Sequence, residues 1–104
     1  MTHNSYNVNV NITFKNTTGS DALRSYAVDK LRSCIQKFVH HDTEAHVVLR
    51  VEKRRQIAEV SLRSDGSDVH ATEESEDLYA SVDALIGSLT QQLRKHKEKL
   101  TKHH

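Results

Sequence analysis

The chain has 104 residues, of which 36% are hydrophobic and 28% charged, and its formal net charge is +1. This length predicts one domain, 1–104, with a thin core such as a single sheet covered on one face by helices. The single cysteine, Cys34, excludes an internal disulfide, and the lack of a leader or of an apolar run near the roughly 18 residues of a membrane span predicts a soluble, cytoplasmic protein.

The first two predicted elements are a strand and a helix. Apolar residues alternate with Asn and Thr from Tyr6 to Phe14, which predicts a strand with one buried face. Turn residues follow, and either Thr18 with Asp21 or Ser20 alone is the expected helix cap. Steps of three and four then predict an amphipathic helix over 22–39. Its apolar stripe comprises Leu23, Ala27, Leu31, Cys34, Ile35 and Phe38.

Three further strands are predicted before the last helix. Alternation places two of them around Leu49 and Val60 and a short one around Val69–Ala71. The dipeptide Asp65-Gly66 favours a tight hairpin between the last two. The other face of the sheet is expected to be solvated and to carry Asn7, Asn9, Asn11, Arg50, Glu52, Glu59, Arg63 and His70.

A long helix is predicted from Ser75 to the C-terminus. Ser75 is the expected N-cap, with Glu76 and Asp77 in the first turn, where the helix dipole favours anions. The apolar stripe of this helix comprises Leu78, Val82, Leu85, Ile86, Leu89, Leu93 and Leu100. The order βαβββα predicts an α+β fold, in which two helices pack on one face of a four-stranded sheet.

Basic charge is concentrated at the end of the chain. Residues 91–104 hold five Lys and Arg against one Glu, whereas residues 65–77 hold acids but no Lys or Arg. At about 100° per residue, the cations flank the stripe of the last helix, with Arg94 and Lys97 on one side and Lys95, Lys99 and Lys102 on the other. A solvated helix end accounts for this pattern, but so does a polyanionic partner such as nucleic acid.

The first helix adds cations on both flanks of its stripe, Lys30 and Lys37 on one and Arg24 and Arg32 on the other. If the helices pack side by side, cations from both border the groove between them and can position phosphates without reading bases. A third cluster, Lys53, Arg54 and Arg55, is predicted at a hairpin tip, where charge is often only solubilising.

Few residues indicate other chemistry. Tyr6, Phe14, Tyr26 and Phe38 occupy predicted core positions and leave only Tyr79 for base stacking, which argues against a single-strand platform. The cluster His40-His41-Asp42 has no second ligand pair at zinc spacing, His96 is expected to be packed, and Cys34 is expected to act as a small buried hydrophobe. We therefore predict no metal, no cofactor and no enzymatic activity.

Five segments of the chain together carry a resemblance to a known family. They are Val51–Lys53, Val69–Ala71, Asp77–Ala80, Val82–Ile86 and Gln92–Leu100. These segments resemble the ribosome hibernation-promoting factors, also called the ribosome-associated inhibitor or sigma-54 modulation family. The resemblance covers nearly the whole chain.

The resemblance implies a domain similar to the double-stranded-RNA-binding fold. It implies that the bacterial protein binds the small ribosomal subunit in the channel for mRNA and tRNA and silences translation in stationary phase or stress. By position, the family's rRNA contacts map onto Arg24, Lys30, Lys53, Arg94, Lys95, Lys97 and Lys99, with Arg54 and Arg55 as additions. The helix flanks complete the predicted rRNA-binding set with Arg32, Lys37 and Lys102.

Two positions depart from the family pattern. Ser33 replaces a frequent lysine, and Gly87-Ser88 replaces an acid and a base. The chain ends just past the basic run, which resembles the short form that acts with a separate ribosome modulation factor to promote ribosome dimers. We expect a monomer with no membrane partner and with flexible ends at 1–5 and 101–104.

Three alternatives remain open at this point. A free-standing double-stranded-RNA binder would share the fold but not the target. A protein-interaction regulator would use the polar sheet face or the acidic stretch 65–77. A small enzyme would use the cluster at 40–42 and is the least supported by the sequence.

Overall fold

The computed structural model describes residues 6–64 and 66–102, except for the side chains of 99–102. The predicted flexible ends fall outside this description, apart from the helical backbone at 101–102. The elements are β1 (Val8–Lys15), α1 (Asp21–Gln36), β2 (Thr43–Glu52), β3 (Arg55–Ser64), β4 (Ser67–Ser75) and α2 (Leu78–Lys102). This order confirms the predicted βαβββα fold, with both helices packed against a four-stranded sheet.

The sheet has the strand order β1-β2-β3-β4 and combines one parallel pair with two antiparallel pairs. β1 runs parallel to β2, and Lys15 at the end of β1 pairs with Arg50 near the end of β2. β4 also finishes at this end of the sheet, because Ser75 pairs with Gln56 at the start of β3. We call this end the helix-start end, because a helix follows each of the two strands that finish there. The opposite end of the strands is the helix-finish end.

The two helices lie side by side and run in the same direction. Near the helix-start end, the ring of Tyr26 in α1 lies 5.1 Å from the ring of Tyr79 in α2. Further along, Cys34 Sγ lies 3.3 Å from Thr90 Oγ1. Both C-terminal halves therefore reach the helix-finish end, and one flank of each helix faces the other.

The core lies between the helices and one face of the sheet, as the alternation predicted. Side chains from every element contribute, including Ile12, Val47, Leu49, Ala58, Val60, Ala71, Ala27, Leu31, Ile35, Val82, Leu85, Leu89 and Leu93. The predicted burial of Cys34 is confirmed. Tyr6, in contrast, is 39% exposed and lies before β1, so its assignment to the core was wrong. Its ring instead contacts that of His40 edge to face.

The helix boundaries differ in part from those predicted. Ser20 caps α1 by accepting a hydrogen bond from the Leu23 N–H at 3.0 Å, and α1 ends at Gln36 rather than at Val39. The predicted cap of α2 at Ser75 was wrong. Ser75 is the last residue of β4, and the Asp77 carboxylate instead accepts from the Ala80 N–H at 2.8 Å. Pairing with β3 keeps the chain extended beyond the position that local propensity favours for the cap.

β4 is also longer than the short strand predicted around Val69–Ala71. It pairs with β3 over nine residues, from Ser67 opposite Ser64 to Ser75 opposite Gln56. The cross-strand hydrogen bonds extend it through polar residues that carry no hydrophobic alternation. The predicted hairpin before β4 is confirmed by the two-residue connection, in which Gly66 adopts a φ of 79°.

The solvent-facing side of the sheet is less open than predicted. Ile57 lies on this face, yet its exposure is only 1%. Its cross-strand partners are Arg50 and Glu74, and Arg50 forms an ion pair with Glu59 that leaves each side chain about one quarter exposed, at 25% and 24%. Long charged side chains can cover apolar surface with their aliphatic stems, which accounts for the burial of Ile57 between these two partners.

The sequence pattern did not predict the burial of the polar residue Ser81. Its hydroxyl is fully buried and lies 2.6 Å from the Gln56 carbonyl oxygen and 2.9 Å from that of Asp77. The contact ties the first turn of α2 to the start of β3. A hydroxyl among buried helix positions is stable there because it reaches backbone acceptors.

Replacement of Gly19 by alanine is expected to destabilise the fold. Gly19 has a φ of +64°, and a Cβ atom placed there would lie 2.5 Å from the Phe14 ring. Backbone strain and overpacking together should lower the free energy of unfolding by about 1–3 kcal/mol. Urea unfolding followed by circular dichroism measures this change.

Gly87→Ala is the matched control, because nothing lies within 4 Å of a Cβ at this helical position. It should raise the free energy of unfolding by about 0.5–1 kcal/mol, since alanine has the higher helix propensity. Equal stabilities for Gly19→Ala and the native chain would contradict the first prediction.

Candidate nucleic-acid interface

The parallel helices leave a groove between them, which we call the inter-helix groove. Its volume is about 550 Å³, and it is lined by Asp29, Lys30, Ser33, Cys34, Lys37, Phe38, Ile86, Thr90 and Arg94. The floor is formed by small or apolar side chains, with the Cys34 thiol against the Thr90 hydroxyl. Thr90 donates to the Ile86 carbonyl at 2.7 Å, so its oxygen can accept from the thiol.

The rim of the groove carries the basic charge. Lys30 and Lys37 from the α1 side face Arg94 from α2, and Asp29 is the one carboxylate among the lining residues. Lys30, Lys37 and Arg94 form no ion pair with any residue that the structure describes. Lys37 is the C-cap residue of α1, where the helix dipole favours a cation. These three charges are therefore available to an anionic partner.

The helix-start side of the groove is closed by a polar and aromatic contact. The Tyr26 hydroxyl donates to the Asp83 carboxylate, and the rings of Tyr26 and Tyr79 meet edge to face. The hydrogen bond to Asp83 raises the pKa of Tyr26 above the ordinary tyrosine value. The Lys30 ammonium lies 5.5 Å from the centroid of the Tyr26 ring, a distance at which it is attracted to the aromatic face.

Sequence reasoning did not identify this contact between Tyr26 and Asp83. A tyrosine at the edge of one apolar stripe and an aspartate at the edge of the other were the available signals. Neither signal alone gives the partner, because the pairing depends on the two helices running in the same direction.

The remaining basic residues of α2 divide between its two sides. Lys97 is exposed and follows Arg94 by about one turn on the side that faces α1. Lys95 is exposed on the opposite side. Lys99 and Lys102 belong to the helical backbone, but their side chains lie outside the described residues.

Arg24 and Arg32 are directed away from the inter-helix groove, towards β1. Arg24 Nη1 donates to the Ile12 carbonyl at 3.0 Å, and Arg32 Nε donates to the Val8 carbonyl at 3.2 Å. The Arg24 guanidinium also lies 5.0 Å from the centroid of the Phe14 ring. The structure thus brings Lys30 and Lys37 to the groove but not the two arginines of the same helix.

The predicted hairpin cluster is also separated from the groove. Lys53, with a φ of 56°, and Arg54 form the exposed turn at the helix-start end. The prediction that Arg55 belongs to this turn was wrong, because Arg55 is the first residue of β3. It donates to Glu74 Oε1 at 3.1 and 2.7 Å. This bond raises the pKa of Arg55 and lowers that of the Glu74 carboxyl.

A second, larger depression of about 1050 Å³ lies at the helix-finish end of the sheet. It is lined by His41, Asp42, Thr43, Glu44, His46, Ser61, Leu62, Arg63, Gly66, Asp68, Val69 and His70. Three carboxylates against one arginine make it a poorer site for phosphate than the inter-helix groove. Within residues 6–64 and 66–102, no group of three or more His, Cys, Asp and Glu residues is arranged to hold a metal ion.

Among the residues that the structure describes, no helix is both long enough and apolar enough to cross a membrane.

Tyr26→Phe tests the contact that closes the groove, because it removes the hydroxyl but keeps the ring. Since the folded state raises the pKa of Tyr26, the stabilisation is fully present below the unfolded tyrosine pKa of about 10 and is lost as pH rises through the higher folded value. The native chain should therefore unfold at higher urea than Tyr26→Phe at neutral pH, and the two midpoints should converge at alkaline pH.

Tyr79→Phe provides the control for this series. Tyr79 is 42% exposed, and its hydroxyl has no hydrogen-bond partner in the part of the chain that the structure describes. Its urea midpoint should follow that of the native chain at every pH. A gap between native and Tyr26→Phe midpoints that stays constant into alkaline pH would show that the hydroxyl does not act through Asp83.

Comparison with known proteins identifies the family. The family model described as Sigma 54 modulation protein / S30EA ribosomal protein matches residues 10–101. The ribosome hibernation promoting factor of Klebsiella oxytoca is 39% identical over 94 residues, which cover 90% of this chain and 98% of that protein. The Escherichia coli protein of the same name is 36% identical over 94 residues, with the same coverage of both chains.

Solved structures agree with this assignment. A ribosomal subunit interface protein from Coxiella burnetii superposes with a TM-score of 0.77 at 27% identity, covering 86% of this chain and 98% of that one. The N-terminal domain of Thermus thermophilus Protein Y gives a TM-score of 0.74 at 29% identity with the same coverage. The chain therefore belongs to the Sigma 54 modulation protein / S30EA ribosomal protein family.

Proposed function

We propose that this chain is a ribosome hibernation factor that binds rRNA of the small subunit through the inter-helix groove and the basic end of α2. Occupying the channel for mRNA and tRNA in the decoding region would silence the ribosome during stationary phase or stress in the bacterial cytoplasm. The relatives named as ribosome hibernation promoting factors and the ribosomal subunit interface protein support this proposal. Promotion of ribosome dimers, with a separate modulation factor on the same ribosome, extends the same proposal.

The observation that carries the proposal is the convergence, at one groove, of cations that form no ion pair with the described residues. Lys30, Lys37 and Arg94 surround it, and Lys97 continues the row along α2. Such a surface contacts phosphates rather than base edges and therefore recognises folded RNA by backbone and shape. The family resemblance adds Lys53, Arg54, Lys95 and Lys99 as outlying contacts, and the flank of α2 adds Lys102. The guanidinium groups of Arg24, Arg32 and Arg55, which complete the predicted set, already bond within the fold.

The charges on the open sheet face favour this groove over the sheet as the RNA-binding surface. Arg50, Arg55 and Arg63 on that face each form an ion pair with a glutamate or aspartate. Each carboxylate compensates the charge that a phosphate would otherwise contact. A polyanion therefore gains less from the sheet than from the unpaired groove cations.

Removing two groove cations should weaken binding to small subunits. The double variant combines Lys37→Gln and Arg94→Gln. Each lost phosphate contact should make the negative slope of log affinity against log salt less steep by about one. The affinity at low salt should fall at least about tenfold, which corresponds to about 1.4 kcal/mol. Co-sedimentation with purified small subunits over a salt series measures both quantities.

The matched control is Lys15→Gln with Arg63→Gln, which removes the same charge from exposed residues of the open sheet face. Its affinity and salt slope should stay close to native values. Equal losses in both double variants would mean that net charge, not the groove, determines binding. Preference for a plain RNA duplex over small subunits would favour a free-standing RNA binder, and a pull-down partner that survives RNase would favour a protein-interaction regulator.

Adjacent lysines on α2 provide a finer test. Lys97 lies on the side that faces α1 and Lys95 on the opposite side, although both are exposed and carry the same charge. Lys97→Gln should weaken small-subunit binding several-fold more than Lys95→Gln in the same co-sedimentation assay. A larger effect of Lys95→Gln would place the RNA on the outer side of α2.

A further inference from the structure

β1 is an edge strand whose own sequence does little to prevent pairing with another chain. It lies at one edge of the sheet, with β2 on its inner side. The segment Val8–Phe14 contains no charged residue, no proline and no glycine, and alternates β-branched or aromatic residues with polar ones. Uncharged seven-residue segments of this kind pair readily with strands of other molecules, and natural edge strands are usually protected by charge, proline or a bulge.

The register shows which backbone groups face outwards. The Asn7 carbonyl accepts from the Thr43 N–H of β2 at 2.9 Å, so the odd-numbered residues here turn their backbone groups inwards. The backbone groups of the even-numbered residues therefore point to the free edge. These residues are Val8, Val10, Ile12 and Phe14.

Two of these outward carbonyls are occupied by arginines of α1. Arg24 donates to the Ile12 carbonyl and Arg32 to the Val8 carbonyl, at 3.0 and 3.2 Å. The spacing fits because eight helical residues span about 12 Å and four strand residues about 13 Å. Val28, midway between the arginines, is half-buried against the core, which keeps this side of α1 close to the strand.

The Arg24 guanidinium makes a second contact, with the aromatic ring of Phe14. It lies 5.0 Å from the centroid of the Phe14 ring, while its Nη1 bonds to Ile12. Each guanidinium thus supplies a charge-assisted hydrogen bond to an edge carbonyl, which is stronger than a bond between neutral groups. An incoming strand would have to break two such bonds before it could pair along the edge.

We propose that Arg24 and Arg32 block the edge of β1 against pairing with β1 of a second copy of this chain. Antiparallel pairing of two identical strands about a two-fold axis is the self-complementary arrangement available to this edge. It would bring the uncharged segments Val8–Phe14 of both copies together and extend the sheet across them. The two arginines keep the chain monomeric by occupying acceptors that this pairing requires.

This inference does not depend on the proposed function, since its readout is self-association in the absence of ribosomes. The test variant is Arg24→Gln with Arg32→Gln, studied by sedimentation velocity over a range of protein concentrations and by thioflavin T fluorescence. We expect the native chain to sediment as a monomer of 11.9 kDa. The variant should form species of about twice that mass or more, as pairing of two or more copies requires.

The matched control is Lys30→Gln with Lys37→Gln, which removes two cations from the groove side of the same helix. It should remain monomeric. Adding Asn11→Lys to the arginine variant should restore the monomer, because Asn11 lies in the middle of β1 and is exposed. A lysine there places like charges close together in the paired strands.

Three outcomes would overturn the proposal. One is a folded arginine variant that stays monomeric and negative for thioflavin T. Another is equal association of the lysine control, and the third is association that Asn11→Lys fails to reduce. If circular dichroism shows that the double variant is unfolded, the single variant Arg32→Gln is judged by the same outcomes, because it leaves the contact of Arg24 with Phe14 intact.

Discussion

The parallel pairing of β1 with β2 is the constraint on which the candidate site depends. A parallel pair needs a crossover, so α1 must carry the chain from the end of β1 back to the start of β2. The antiparallel strands then return the chain to the helix-start end before α2 begins. Both helices consequently run in the same direction, and their C-terminal halves come together with cations on both sides of one groove.

The same residue types serve three different purposes, which are set by what surrounds them. Lys37 and Arg94 border the groove without a carboxylate partner among the described residues. Arg50, Arg55 and Arg63 on the open sheet face pair with acids, and Arg50 lies opposite the buried Ile57. Arg24 and Arg32, by contrast, donate hydrogen bonds to carbonyls of the edge strand β1. Net charge alone, a formal +1, reveals none of this division.

Much of the fold followed from periodicity, and the errors at Ser75 and Arg55 arose where strand pairing outweighed local preference. The element order and the apolar stripes over Leu23–Ile35 and Leu78–Leu93 were predicted correctly, because alternation and helical spacing reflect burial directly. Phe38 packs against the core from beyond the end of α1, and the side chain of Leu100 lies outside the described residues. Ser75 was assigned as a helix cap, but the ladder with β3 extends β4 through it. Arg55 was assigned to a turn because of its charge, but the strand register decides the length of the hairpin. Arg55 pairs with Glu52 and therefore belongs to β3.

The sequence by itself determined the element types, the buried face of each and, through its motifs, the family. It also placed Lys30 and Lys37 on one flank of α1 and Arg24 on the other, because helical geometry fixes which residues share a face. Only the tertiary structure decided which flank meets α2 and which meets β1. That choice depends on long-range strand order and helix direction, which arise from packing of the whole chain and leave no local pattern in the residues themselves.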